Sequence, residues 1–425
     1  MNRRIFLKSS GLALVAGAFV PRVFVRMAAA DTIGAPGAIH NGRVLVAIFL
    51  RGAVDGLNVV VPYGEAAYYA VRPTIAVPRP GSSASAGAAA LDLDGFFGLH
   101  PALAPLQGLY RDGAAAVVHA AGSPDPTRSH FDAQDFMESG TPGSKTTRDG
   151  FLARTLSVSS RGAKSSVRAA ALTRTMPRIL AGAEGAVAVD RLARFGIRAP
   201  GDPAADAGAL ESMYAGSTEG ELRTTARESF EALRVLEAAA PSRGGVANGA
   251  RYPQGELGRS LSQIAQLIRA NVGLEIAFAD AAGWDTHAGQ GGATGQLAAR
   301  LGGLAQAIAA FARDLGSKMA DVTLVTMSEF GRTVAENGNR GTDHGHGNAM
   351  LILSGSETLR GRKVYGKWPG LRPEQRYEGR DLAITTDFRD VFGEIVTRHL
   401  GVRNPSTIFP GYEITPAKFP GFLAA

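Results

Sequence analysis

The chain has 425 residues, a formal charge of +7 and no cysteine. Without cysteine there are no disulfide staples, no thiolate metal sites and no cysteine nucleophile, so the fold rests on buried apolar area, which a chain of this length supplies. Arg3, Arg4, Lys8, Arg22 and Arg26 lie in the first thirty residues with no acidic neighbour; the rest carries +2 and has no basic run to hold nucleic acid.

Arg3-Arg4-Ile5-Phe6-Leu7-Lys8, an apolar stretch from Gly11 to Val20 and Ala28-Ala29-Ala30 before Asp31 follow the order of a twin-arginine export signal. About ten apolar residues fall short of the roughly 20 that cross a bilayer. Residues 1–30 are therefore expected to be a cleaved signal, and no other segment suits a stable membrane span. The destination is the periplasm or the exterior, with the twin-arginine translocase as partner during export. That route carries chains already folded, often with a metal in place.

Residues 31–425 read as a single α/β domain. Arg43 to Leu50 is a continuous apolar run with Val and Ile, the pattern of a strand buried on both faces of a parallel sheet. Arg51-Gly52-Ala53-Val54-Asp55-Gly56 breaks it, and Asp55 is either a metal ligand over the sheet edge or a turn aspartate bonded to its own backbone. Gly81 to Ala90 is a low-complexity loop. Ala114 to Ala120 reads as a strand, followed by Ser123-Pro124-Asp125-Pro126-Thr127-Arg128-Ser129-His130 and a helix over Phe131 to Glu138. Ser129 either caps that helix or presents a hydroxyl nucleophile to a metal, with Thr127 and Ser123 as weaker alternatives. Residues from about 140 to 255, irregular and rich in Ala, Arg, Gly and Ser, resemble a helical insertion or cap.

Leu257, Leu261, Ile264, Leu267 and Ile268 repeat at helical spacing, as do Leu297, Leu301, Leu304, Ile308 and Phe311. Strands are expected at Leu274 to Ala279, at Val322 to Met327 and, more briefly, at Leu351 to Leu353. Open α/β sheets bind ligands at the carboxyl ends of their strands. Polar motifs follow the first two of these runs. Gly283-Trp284-Asp285-Thr286-His287 offers a hard oxygen and a borderline nitrogen on one side of an extended chain; an Asp–His hydrogen bond that pins a loop is the plainer alternative. Ser328-Glu329-Phe330-Gly331-Arg332 ends the second run, and Asp343-His344-Gly345-His346-Gly347 comes after a loop. The latter offers up to three ligands on flexible backbone, or a set of hydrogen-bonded surface imidazoles. Arg332 suits a bidentate grip on an anionic oxygen unless it is simply exposed.

With Arg-Gly-x-x-Asp-Gly-Leu-Asn, Ser-His-Phe, Gly-Trp-Asp-Thr-His, Ser-Glu-Phe-Gly-Arg and Thr-Asp-His-Gly-His-Gly in order, the chain resembles bacterial domain-of-unknown-function family 1501, over nearly all of its length after the signal. That family is grouped with the alkaline phosphatase-like superfamily of sulfatases, phosphatases and phosphopentomutase-like enzymes. The resemblance implies a three-layer α/β/α sandwich with a mostly parallel central sheet. It makes Asp55 the first metal aspartate, Asp285 and His287 the ligands after a middle strand, and Glu329 the strand-end acid. Where sulfatases show Ser-Asp-His-Gly this chain has Ser-Glu-Phe-Gly, so Asp343, His344 and His346 are expected to replace the lost histidine. Pro124 stands two residues before Pro126-Thr127-Arg128, where sulfatases carry the nucleophile, and Ser123 is one residue out of register, so a formylglycine nucleophile is not expected and a metal-bound water is the alternative to a covalent route.

The expected function is an exported metal-dependent hydrolase of phosphate or sulfate esters. Asp55, Asp285, His287, Glu329, Asp343 and His344 would hold one or two divalent ions, zinc or manganese before magnesium or calcium. Ser129 is the candidate nucleophile, His130 or His346 the acid or base, and Arg332 the anion clamp. The alternative is a non-catalytic secreted binding protein of the same fold that recognises a surface glycan or a partner protein. A third possibility is that the histidines only tie loops together.

Overall fold

A computed structural model describes residues 42–82, 88–159, 165–194, 211–214, 220–239 and 245–425; the expected export signal at 1–30 lies outside them. One nine-stranded sheet organises the molecule. Its strands are β1 (Val44–Arg51), β2 (Ala115–Gly122), β3 (Ala169–Ala171), β4 (Ala186–Ala188), β5 (Ile276–Ala282), β6 (Val322–Met327), β7 (Asn348–Ser354), β8 (Val364–Tyr365) and β9 (Thr386–Asp387). They run in the order β8-β2-β7-β6-β1-β5-β3-β4, with β9 also against β2. Only β7 is antiparallel to its neighbours, so the sheet is mostly parallel.

The long apolar runs follow from burial on both faces. Val46 and Ile48 of β1 point to one side, against Leu261 and Ile264 of α5 (Glu256–Arg269) and Leu301 and Ile308 of α6 (Gln296–Leu315). Leu45, Ala47 and Phe49 point to the other, against Phe151 and Leu152 of α3 (Phe151–Val158) and Phe388 and Phe392 of α7 (Phe388–Glu394). Helices thus cover both faces in three layers. The remaining helices include α1 (Ala104–Arg111), α2 (His130–Ser139) and α4 (Gly220–Ala239). Each large apolar side chain buried this way contributes roughly 1.5–3 kcal/mol, before the chain entropy that opposes it. Among the described residues no helix is long and apolar enough to cross a membrane.

Residues 140–255 are not wholly an insertion outside the sheet. They include α3 and α4, but also β3 and β4, which extend the parallel sheet beyond β5. Ala-Ala-Ala and Ala-Val-Ala carry little strand preference of their own, and it is burial on both faces that fixes them as strands.

The topology brings the polar motifs to one edge. The loops after β1, β2, β5 and β6 leave the carboxyl ends of parallel strands, where the helix dipoles and loop backbone of such folds also gather. Because β7 runs the other way, the segment that precedes it, Asp343 to Gly347, arrives at that same edge. Gly52 makes the crowding possible: its φ is +113°, and a Cβ there would stand 2.7 Å from the Asp285 nitrogen.

Candidate metal centre

Three imidazoles and one carboxylate meet at this edge, and each imidazole is oriented by a bond from its Nδ1. His130 opens α2, whose N-cap is Ser129. Its Nδ1–H donates to Glu329 Oε1 at 2.8 Å. Glu329 is buried and accepts in addition from the Gly52 amide and the Gln134 side chain, both at 2.8 Å. Burial pushes the Glu329 carboxyl up, but these bonds outweigh it and hold the group below its ordinary range. The Glu329 bond in turn raises His130 above the usual histidine value against the opposing effect of burial.

His344 donates from Nδ1 to the Arg128 carbonyl at 2.9 Å, and burial lowers its proton affinity despite that bond. His287 donates from Nδ1 to Asp343 Oδ1 at 3.0 Å. Asp343 is fixed by the Asn337 amide at 2.9 Å, which with the His287 bond keeps it ionised. With each Nδ1 carrying the proton, each Nε2 presents a lone pair.

Those lone pairs converge on Asp285. The His287 and His344 Nε2 atoms lie 3.0 and 3.2 Å from its Oδ1, and His130 Nε2 lies 3.4 Å from its Oδ2. Burial pushes the Asp285 carboxyl up, yet the Arg332 guanidinium, 2.5 Å from Oδ1, outweighs it and keeps the group anionic. One ligand atom each from His130, Asp285 and His344 falls within 4.8 Å of the others. The donor set fits a divalent cation on two further grounds. The His287 and His344 Nε2 atoms face each other at 3.0 Å, which is repulsive for two lone pairs unless a cation or proton stands between them. His130 Nε2 is buried with no hydrogen-bond partner. Imidazoles whose far nitrogens rest on carboxylates or carbonyls are the usual outer support of a metal site. His287 and Asp285 remain 43% and 42% exposed, so the cluster is open on one side.

Several residues singled out by their motifs do other work. Asp55, expected as a ligand, is fully buried and saturated: Arg72 grips it at 2.6 and 3.1 Å, and Gln290 donates to Oδ2 at 2.7 Å. Arg332, expected as an anion clamp, is buried and spends its guanidinium on the carbonyls of Gly52, Ala53, Trp284 and Thr342 and on Asp285. Glu329 and Asp343 orient imidazoles and stand behind the ligand atoms. His346 lies apart, buried and stacked on Tyr377 with ring centroids 4.2 Å apart. Ser129 is exposed and its Oγ accepts from Asp132 N at 3.5 Å, as a helix cap. Phe330, in the place of the missing histidine, stacks on His130 at 5.1 Å.

Sequence reasoning overlooked Arg72, Gln290 and the Arg128 carbonyl as site-forming groups. Arg72 and Gln290 stand alone among unremarkable neighbours, and a backbone carbonyl has no sequence signature. Two guanidiniums on segments next to the cluster are engaged in ion pairs. Arg128 is paired with Asp381 and Glu378 at 2.7 and 2.6 Å, and Arg380 with Asp381 at 2.9 Å.

Residues 43–389 match a protein family described as protein of unknown function, DUF1501. The chain belongs to that family. No curated protein and no solved structure matches it. The DUF1501 span takes in all four residues of the cluster, the groups that orient them, and the sheet edge on which they meet.

Proposed function

We propose that this DUF1501 chain is an exported hydrolase of phosphate or sulfate esters, built on an alkaline phosphatase-like fold and dependent on one divalent ion held by His130, Asp285, His287 and His344. The observation that carries the proposal is the convergence of three Nδ1-tethered imidazoles on one anionic carboxylate. The mostly parallel sheet with ligand-bearing loops at one edge supports the choice of fold. The twin-arginine-type segment supports export.

A divalent ion bound there would supply Lewis acidity toward an ester oxygen and lower the pKa of water as nucleophile. The chain's own residues prepare for it. Glu329, Asp343 and the Arg128 carbonyl each hold a proton on Nδ1, which keeps the three Nε2 atoms free to ligate. Arg332 neutralises and fixes Asp285 from inside, leaving the open face to solvent and substrate. Nitrogen and oxygen donors without sulfur favour zinc or manganese over magnesium or calcium. Metal content of the exported protein is the direct test, joined to turnover of aryl phosphates and sulfates. His344→Ala and Asp285→Ala should each abolish metal binding and turnover while the chain stays folded. A well-folded wild-type protein that takes up no divalent metal would sink the proposal.

A second reading, a metal-holding binding protein for a surface glycan or partner, draws on the engaged state of Arg128, Arg332 and Arg380 and on Phe131, 90% exposed beside His130. Metal binding without turnover of any ester would select it.

A further inference from the structure

We infer that Gln290 is a positioning residue that clasps together the two loops bearing three of the four cluster residues, and that Asp55 serves the metal centre by orienting it. This rests on the metal reading above. Gln290 is fully buried. Its Oε1 accepts from the hydroxyls of Thr286 at 2.7 Å and Thr342 at 2.8 Å. Its Nε2 donates to Asp55 Oδ2 at 2.7 Å. Thr286 stands between Asp285 and His287, and Thr342 stands immediately before Asp343 and His344.

The chemistry permits one arrangement. An ionised carboxylate only accepts, so it must face the amide nitrogen, and that turns the amide oxygen toward both threonines. Arg72 anchors Asp55 from the far side at 2.6 and 3.1 Å and also donates to Asn58, so the carboxylate cannot turn away. The backbone closes the same junction: Thr342 N donates to Thr286 O at 3.1 Å, and Gln290 N to Arg340 O at 2.9 Å. Arg332, which holds Asp285, also holds the Thr342 carbonyl at 2.9 Å. The spacing between His287 and His344 is thus held, together with these bonds, by a buried amide that touches neither imidazole. Loss of outer support typically costs a metal site about tenfold to a hundredfold in affinity.

The test is titration of metal-stripped, full-length exported protein with Co(II), read by its d–d absorption band, which reports ligand geometry as well as occupancy. Gln290→Met, Thr286→Val and Thr342→Val should each weaken Co(II) binding by about 10–100-fold and displace the band. Thr286→Ser and Thr342→Ser, which keep the hydroxyl, should retain wild-type affinity and spectrum. Combining Gln290→Met with Thr342→Val should cost little more than Gln290→Met alone, because both remove one junction. If Gln290→Met does not fold, the threonine variants decide. Valine variants with wild-type melting, affinity and spectrum would overturn the brace while leaving the metal centre standing. A wild-type chain that takes up no Co(II) would overturn both.

Discussion

His119 lies outside the cluster and answers to burial alone. It sits in β2 as a neutral ring, with Nε2 donating to the Val60 carbonyl at 3.0 Å and Nδ1 accepting from the Ala120 amide at 2.8 Å. A proton on Nδ1 would break the second bond inside the core, and burial lowers the pKa from 6.5 to about 4. The unfolded chain therefore binds a proton near pH 6.5 that the folded chain refuses until about pH 4. Stability from this group is complete above pH 6.5 and falls as pH drops toward 4, by about 3 kcal/mol. Urea unfolding across that range should show the loss, and His119→Gln should flatten the slope by a similar amount whatever its cost at neutral pH. Glu329 is a contrasting buried group because its charge is used. Glu329→Gln keeps an oxygen to accept from His130 Nδ1 but removes the charge behind the imidazole, so divalent-metal affinity should fall about tenfold with the fold intact, as metal titration would read. Unchanged affinity would mean that orientation alone matters.

At the level of elements, the legibility of the chain followed burial. The strand expected at Val322 to Met327 has those bounds in the structure, and the first strand is displaced by one residue, because two-sided burial writes itself as an unbroken apolar run. β3 and β4 left a weaker mark, since short alanine-rich runs suit any element and it is burial on both faces that decides it. The Asp-x-His and Asp-His-Gly-His motifs lie on loops that the structure brings to one sheet edge, but spacing along the chain does not distinguish an oxygen free to ligate from one that accepts from a buried arginine. Asp55 and Arg72, 17 residues apart, show the difficulty. Ser129 poses the same question at the start of α2. As a cap with a 3.5 Å bond, Ser129→Ala should lower stability by about 0.5 kcal/mol and leave ester turnover within roughly twofold. Abolished turnover with unaltered metal content would return the nucleophile role to its hydroxyl.

At the scale of the whole molecule, the proposed metal reading limits the number of ions through how charge is distributed along the sheet edge. A second ion would need carboxylates beyond Asp285. Asp55 is paired with Arg72 inside the core, while Glu329 already accepts from His130, Gly52 and Gln134, and Asp343 from Asn337 and His287. Recruiting any of them would leave a buried guanidinium or an imidazole without its partner, at a cost of several kcal/mol. One ion per chain is therefore expected, and linkage makes that count measurable without activity. When a ligand binds only the folded chain and exceeds its Kd, each bound ion adds to the stability RT ln of the ratio of the free concentration to Kd. Unfolding free energy of the exported protein, measured against buffered free zinc or manganese, should rise by about 1.4 kcal/mol per decade for one ion and about twice that for two. Asp285→Ala should bring the slope to zero. A doubled slope would place Asp55 back among the ligands and require Arg72 and Gln290 to release it when metal binds.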